Sequence, residues 1–293
     1  MPSAETKEIF RQIGWNGIRL TVPCSWETHV GGRNHLIFEK DFSPVLEMRW
    51  QERENKKSAN ARSVSKQIKK TDTTLHEKEL PREWSFLKEK FDVTCYGRKR
   101  ESSFSTAVCT CRHCQALIFF QLNDNREKID HLLKKSMKSL SCCCAAGSRS
   151  FWSIQDFQLQ LPSEYSLTDY SLAAGLSRIS FQSGRMFLHT CKLSPADNRL
   201  NSHSLEDILK NLADVQDLQV HQDENGMGCR GYRKPTITSQ ILLRLQRKKP
   251  FIRAEIRHDT SHNRLLAVIL ESIKPIRSGT CQAISNNYEI IQI

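Results

Sequence analysis

The segment VCTCRHCQ (108–115) sets Cys109, Cys111 and Cys114 within six residues, with His113 among them. Thiolates and an imidazole at such spacing are ligands for zinc, which takes four sulfur or nitrogen donors in structural sites. The same thiols beside Arg112 and His113 could instead run redox chemistry, which needs a lowered thiol pKa. No cofactor fingerprint elsewhere in the chain supports that second use.

The elements that would position these groups are a pair of strands. SFSTAVCTC (103–111) and ALIFFQL (116–122) alternate as strands, with RHCQ (112–115) as the turn between them. Cys109 and Cys111, two residues apart, then share a face, and Cys114 folds back toward them from the turn. The expected metal set is Cys109, Cys111, Cys114 and His113, with a thiol from Cys142–Cys144 as a further donor. No cofactor is required by the pattern, and zinc is the one it leaves open.

Eleven cysteines, three of them consecutive, do not form the even, spread-out set of a small disulfide scaffold. Free or metal-bound thiols in a reducing compartment are expected. No apolar run approaches the roughly 18–20 residues that span a bilayer. The N-terminus MPSAETKEIFRQ lacks the basic and apolar regions of a secretory signal. The expectation is a cytoplasmic protein without membrane insertion. With 38% hydrophobic and 26% charged residues, the 293-residue chain can bury cores, and its length suggests two domains.

The chain repeats itself. WNGIRLTVPCSWETHVGG (15–32) and WSIQDFQLQLPSEYSLTDYSLAAG (152–175) both run a strand into a proline followed three residues later by an aromatic: Pro23 and Trp26, then Pro162 and Tyr165. A glycine and a strand ending in phenylalanine follow in each, Gly32 to Phe38 and Gly175 to Phe181. Helix candidates come next, SVSKQIKK (63–70) and SLEDILKNLA (204–213), the second with Ser204 and Asp207 spaced as a capping box. VTCYGRK (93–99) and MGCRGYRK (227–234) correspond, and two strands joined by a turn follow each. The closing elements are an amphipathic helix over Ile129 to Leu140 and NRLLAVILESI (263–273), which reads as helix or strand. These patterns predict an α+β fold: two similar domains, each an antiparallel sheet flanked by helices. The domains would cover 9–141 and 151–277, with a linker at 142–150 and a tail at 278–293.

The net charge of +12 favours polyanionic partners, acidic proteins or nucleic acid. Its strongest expression is QILLRLQRKKPFIRAEIRHD (240–259), read as a hairpin with RKKP at its turn. Arg244, Arg253 and Arg257 alternate with apolar residues there, and Arg247, Lys248 and Lys249 crowd the tip. These six are the expected partner-binding residues. Aromatics for base stacking are nearly missing. The basic runs GRKRESS (97–103) and RENKKSANARSVSKQIKK (53–70) sit beside loops, where solvation explains them. HDTSHN (258–263), with His258, Asp259 and His262, reads as a polar turn.

The order of elements resembles the PsbP-like superfamily, which also includes the Ran-binding Mog protein and DcrB-like lipoproteins. The resemblance rests on LTVPCSW (20–26) with LIFEKDFSPVLEMRW (36–50), ALIFFQL (116–122) with KKSMKSL (134–140), and their counterparts in the second half. It implies antiparallel sheets flanked by helices and a non-enzymatic docking role, with no catalytic residues to carry over. The expected function is a scaffold that docks an acidic protein or nucleic acid through a basic surface, the alternative being a zinc-binding module.

Overall fold

The computed structural model describes residues 8–51, 63–64, 66, 68, 70, 72–100, 103–123, 129–142 and 149–291. The chain forms two compact units, one of Met1–Ala145 with Phe151–Gln155 and Ile293, the other of Ala146–Ser150 with Asp156–Gln292. The expected linker at 142–150 falls mostly on 143–148, outside the described residues, as do Cys143, Cys144 and most of the 53–70 basic run.

The first unit opens with β1 (Phe10–Trp15) and β2 (Ile18–Pro23). There follow β3 (Glu27–Gly32), β4 (His35–Lys40), β5 (Ser43–Gln51), β6 (Leu75–Lys78), a 3-10 helix (Arg82–Glu89), β7 (Phe91–Arg98), β8 (Thr106–Cys111), β9 (Leu117–Leu122) and α1 (Asp130–Lys138). Strand β10 (Arg149–Ile154) pairs with β1 through Gly14 and Ser153. A Cβ on Gly14 would lie 2.5 Å from the Phe151 carbonyl oxygen, so this close approach requires glycine.

The second unit runs β11 (Phe157–Pro162), β12 (Ser166–Ala173), β13 (Leu176–Ser183), β14 (Met186–Leu193), α2 (Ala196–Leu200), α3 (Leu205–Ala213), β15 (Gln219–Gln222), β16 (Gly228–Arg233), α4 (Ile237–Leu245), β17 (Phe251–Asp259), β18 (Arg264–Ser272), α5 (Thr280–Ser285) and β19 (Tyr288–Ile290). Each unit is built on a seven-stranded sheet. The orders are β3-β4-β5-β9-β8-β7-β6 and β12-β13-β14-β18-β17-β16-β15, with antiparallel neighbours throughout. Strand for strand, the two orders are the same. Among the described residues helices are few and short, so the architecture is β-rich where an α+β fold of sheets flanked by helices was expected.

Local chemistry explains the repetition. Trp26 N donates to Pro23 O and Tyr165 N to Pro162 O, both at 3.1 Å, so the same tight turn leads each unit into its sheet. Both aromatics are buried, as are Phe38 and Phe181 on the next strands. In the second unit Ser204 caps α3 through a full capping box with Asp207. The apolar face of α3, with Leu205, Ile208 and Leu209, packs on Ile252, Ala254, Ile256, Leu265, Ala267 and Ile269 of the sheet. In the first unit the described residues of 63–70 are helical, and Val64 and Ile68 pack on Tyr96, Val108 and Leu117.

One expectation fails and one open reading is settled. Residues 240–245 are not a strand but the body of α4, so the 240–259 hairpin does not exist. Thr236 caps that helix by accepting from Ser239 N, and the leucine-rich run has good helix propensity with no proline before Pro250. The alternation of Leu243 and Leu245 with Arg244 and Gln246 fits a strand, but Leu242 breaks it, while Ile237, Ile241, Leu242 and Leu245 fall at helical spacing. NRLLAVILESI, open between helix and strand in the sequence, is the central strand β18. It is buried almost continuously, which erases the period-2 signal.

The true counterpart of the thiol-bearing β8–β9 turn is therefore the β17–β18 turn at 260–263 rather than RKKP. Both turns end in a residue of positive φ, Gln115 at 60° and Asn263 at 53°. The closing helices correspond differently too. After α1, Ser141 makes a two-hydrogen-bond bridge to Arg19 on β2, with N···O distances of 2.8 and 2.9 Å. After α5, β19 pairs with β11. Residues 129–141 thus match 280–290, so the segment expected as a tail supplies buried Cys281, Ile284 and Tyr288 to the second unit.

Candidate functional site

The connection from β16 to β17 carries α4, whereas the matching connection from β7 to β8 spans only residues 99–105. Helix α4 buries none of its residues. Ile237, Ile241, Leu242 and Leu245 are 78, 56, 57 and 77% exposed and lie on one side of the helix. Such a contiguous apolar stripe on a nine-residue helix is the reverse of ordinary amphipathic packing.

At the C-terminal end of α4, Arg185, Arg244, Arg247, Lys248, Ile273 and Lys274 line a cleft of about 420 Å³. Arg185 comes from the β13–β14 turn and Lys274 from the end of β18. Arg244 donates to Ile273 O at 3.1 Å, which fixes its stem across the cleft. Among the described residues no ion pair engages any of the five cations. Five positive groups and one isoleucine thus surround one concavity.

The six basic residues picked out by sequence divide accordingly. Arg244, Arg247 and Lys248 line the cleft. Lys249 instead pairs with Glu271 at 3.3 Å and stacks over Phe187 at 3.7 Å. Arg253 donates to Ile276 O at 3.0 Å, and Arg257 to Tyr288 O, so both tie the C-terminal segment to the sheet. Arg185 and Lys274 carried no sequence signal, because each lies far along the chain from the run that marked the site.

The thiols form a second cluster. The Sγ atoms of Cys111, Cys114 and Cys142 all lie within 4.8 Å of one another. Cys111 ends β8, held where its N–H donates to Ala116 O at 2.9 Å and its carbonyl accepts from Gln115 N at 3.0 Å. Cys142 follows the Ser141–Arg19 bridge. That bridge is reinforced by Thr21 N donating to Ser139 Oγ at 2.7 Å and by Lys90 Nζ donating to the carbonyls of Lys138 and Leu140. The sulfurs of Cys114 and Cys142 are 3.6 Å apart. Burial and the neighbouring thiols Cys114 and Cys111 push the Cys142 pKa well up.

Cys109 does not join. It sits two residues deeper on β8, which separates equivalent side-chain atoms by about 6.6 Å along the strand, and it is completely buried. Burial, with Cys95 nearby, pushes its pKa up. His113 is exposed in the turn and contributes no atom to the converging group.

Two further polar groupings lie elsewhere, and one of them, Glu27, His29 and Glu39, brings its ligand atoms within 4.8 Å of one another. Ser180 Oγ and His189 Nδ1 lie 2.8 Å apart on paired strands, but His189 Nε2 is 3.8 Å from Glu271, too long for the carboxylate hydrogen bond of a hydrolytic triad. Burial lowers the His189 pKa to about 4, with Arg178 and Lys249 acting in the same direction and Glu271 and Asp169 against it. Glu27, His29 and Glu39 form exposed ion pairs on β3 and β4.

Among the described residues no helix is long and apolar enough to cross a membrane. No family model matches the chain, and no curated protein matches it. Solved structures similar to it include MucB in complex with MucA(peri), at 8% identity and a TM-score of 0.24, covering 97% of this chain and 86% of that one. Another is the Pseudomonas aeruginosa MucA/MucB complex, at 8% identity and a TM-score of 0.23, covering 94% and 84%. These overlaps assign neither fold family nor function.

Proposed function

We propose that this protein is a non-catalytic docking module that binds an acidic, amphipathic segment of a protein partner on α4 and the cationic cleft beside it. The observation that carries this reading is the apolar stripe of α4 running directly into five cations without acidic partners among the described residues. A partner helix or strand with alternating leucine-like and carboxylate side chains satisfies both halves. Nucleic acid would use the cations but leave four exposed aliphatic side chains unmatched, and stacking aromatics are scarce. That α4 is an elaboration on a scaffold otherwise repeated in the first unit also favours a recognition role. A relationship of the two units to the PsbP-like group, and of their sheets and flanking helices to its α+β fold, belongs to the same proposal. So does a cytoplasmic setting.

The test is fluorescence anisotropy with three probes of equal charge: an amphipathic Glu/Leu peptide, a polyglutamate and a single-stranded oligonucleotide. Preference for the amphipathic peptide, lost when α4 is altered, is the expected result. Equal or tighter binding of the oligonucleotide would transfer the assignment to nucleic acid.

A further inference from the structure

We propose that Cys111, Cys114 and Cys142 form a thiolate site for a zinc-class ion, with the fourth coordination position facing solvent and taken by an external ligand. The donors come from two segments that are fixed independently. Cys111 ends β8 and Cys114 lies in the β8–β9 turn, and Cys142 is delivered by the bridge that follows α1.

The spacing suits the ion. In a tetrahedral site with Zn–S bonds of about 2.3 Å, neighbouring sulfurs stand about 3.8 Å apart. Cys114 and Cys142 are at 3.6 Å, and all three sulfurs fall within 4.8 Å. No disulfide joins them. Ligand exposure is graded, with Cys111 buried, Cys142 half-buried and Cys114 exposed, so an ion reaches the site without unfolding it. A soft, all-sulfur donor set selects zinc or copper(I) over magnesium or calcium.

The second unit shows that the fold itself makes no demand for sulfur here. Its matching turn closes with Ser261 Oγ donating to Asp259 at 2.6 Å and His262 N donating to Asp259 at 3.2 Å. The thiols are an addition to one copy of a turn that otherwise closes by ordinary hydrogen bonds. Their convergence with a third thiol from outside the turn is what separates a ligand set from a chance pair.

The test uses the full chain, purified under reductant and without oxygen. Elemental analysis should return close to one equivalent of zinc, and cobalt(II) titration should give the charge-transfer bands of thiolate coordination. C114S and C142S should each weaken metal binding by at least about 100-fold, since even the loss of an outer-shell partner costs 10–100-fold. H113A and C24S should bind as the parent does. Cys114 is exposed, so C114S keeps the fold and isolates the effect. Fully reduced protein with under a tenth of an equivalent of metal and no thiolate–cobalt bands would overturn the proposal. Binding unchanged in both serine variants would also overturn it.

Discussion

Cys114 and Cys142, 28 residues apart in sequence, hold their sulfur atoms 3.6 Å apart at the edge of the first unit. One thiol rides a tight turn and the other a bridge to β2, so backbone hydrogen bonds anchor both, and Cys114 Sγ also donates to Cys142 O at 3.7 Å. A pair so placed needs little movement to reach the about 2.05 Å of a disulfide. Treatment of metal-free protein with diamide should join Cys114 to Cys142, as mapped by peptide mass spectrometry, and prior zinc loading should protect the pair. Linkage through Cys109 instead would contradict the geometry, because that thiol is fully buried.

The cationic cleft predicts a charge-dependent affinity. Each exposed ion pair contributes up to about 1 kcal/mol. Reversal of Arg244, Arg247 and Lys248 to glutamate should therefore weaken acidic-peptide binding by roughly 10- to 100-fold, and binding by the parent should fall as salt rises. Reversal of Lys249 or Arg253 would confuse the outcome, since those groups hold the sheet and the C-terminal segment together. Unchanged affinity in a folded triple variant would remove the cleft from the account.

The apolar half of the surface is separable from the charged half. Leu242→Ser with Leu245→Ser changes two exposed side chains and should leave thermal stability within about 0.5 kcal/mol of the parent. The same double variant should reduce affinity for the amphipathic peptide about 10-fold or more, because a buried leucine contributes about 1.5–3 kcal/mol. Calorimetry and anisotropy on one preparation read both quantities.

Asp156 anchors the second unit between Lys192 and Arg264, accepting from Arg264 Nε at 3.1 Å and forming an ion pair with Lys192. Burial disfavours its charge, yet the hydrogen bonds and charges of those two partners prevail and hold its pKa below the usual range. Asp156→Asn should cost about 2–3 kcal/mol in urea unfolding at pH 7, the scale of a lost charged hydrogen bond. A neutral effect would show that the pair is solvent-screened.

His189 sets an acid limb of stability. In the folded state burial, Arg178 and Lys249 outweigh Glu271 and Asp169 and bring its pKa down from 6.5 to about 4. The unfolded chain therefore takes up the proton first. The contribution is complete above about pH 6.5 and lost as pH falls toward 4. His189→Gln should flatten stability over that window, while Asp156, whose pKa is lowered, acts below it. An unchanged pH profile between 4 and 6.5 would contradict the shift.

What could be read from sequence was local. The Pro-x-x-aromatic turns, the capping box at Ser204 and the Arg112–Gln115 turn depend on residues a few positions apart, and they stand in the structure where the sequence put them. Strand β18 was ambiguous because its central position buries both faces, and α4 was misread because a four-residue alternation fits two periods. The Cys142–Cys144 run was legible as a source of a further thiol donor, and the tether of the α1 terminus to β2 is the long-range contact that delivers Cys142 to Cys111 and Cys114. Arg185 and Lys274 also reach the cleft through long-range contacts, from two strand ends.

Hydrogen–deuterium exchange with and without the acidic amphipathic peptide tests the docking surface most directly. The account predicts protection confined to residues 237–248 and to the segments around Arg185 and Lys274, and its loss in the Arg244/Arg247/Lys248 reversal variant. Protection centred on another face, or saturating binding with no change across α4, would contradict it.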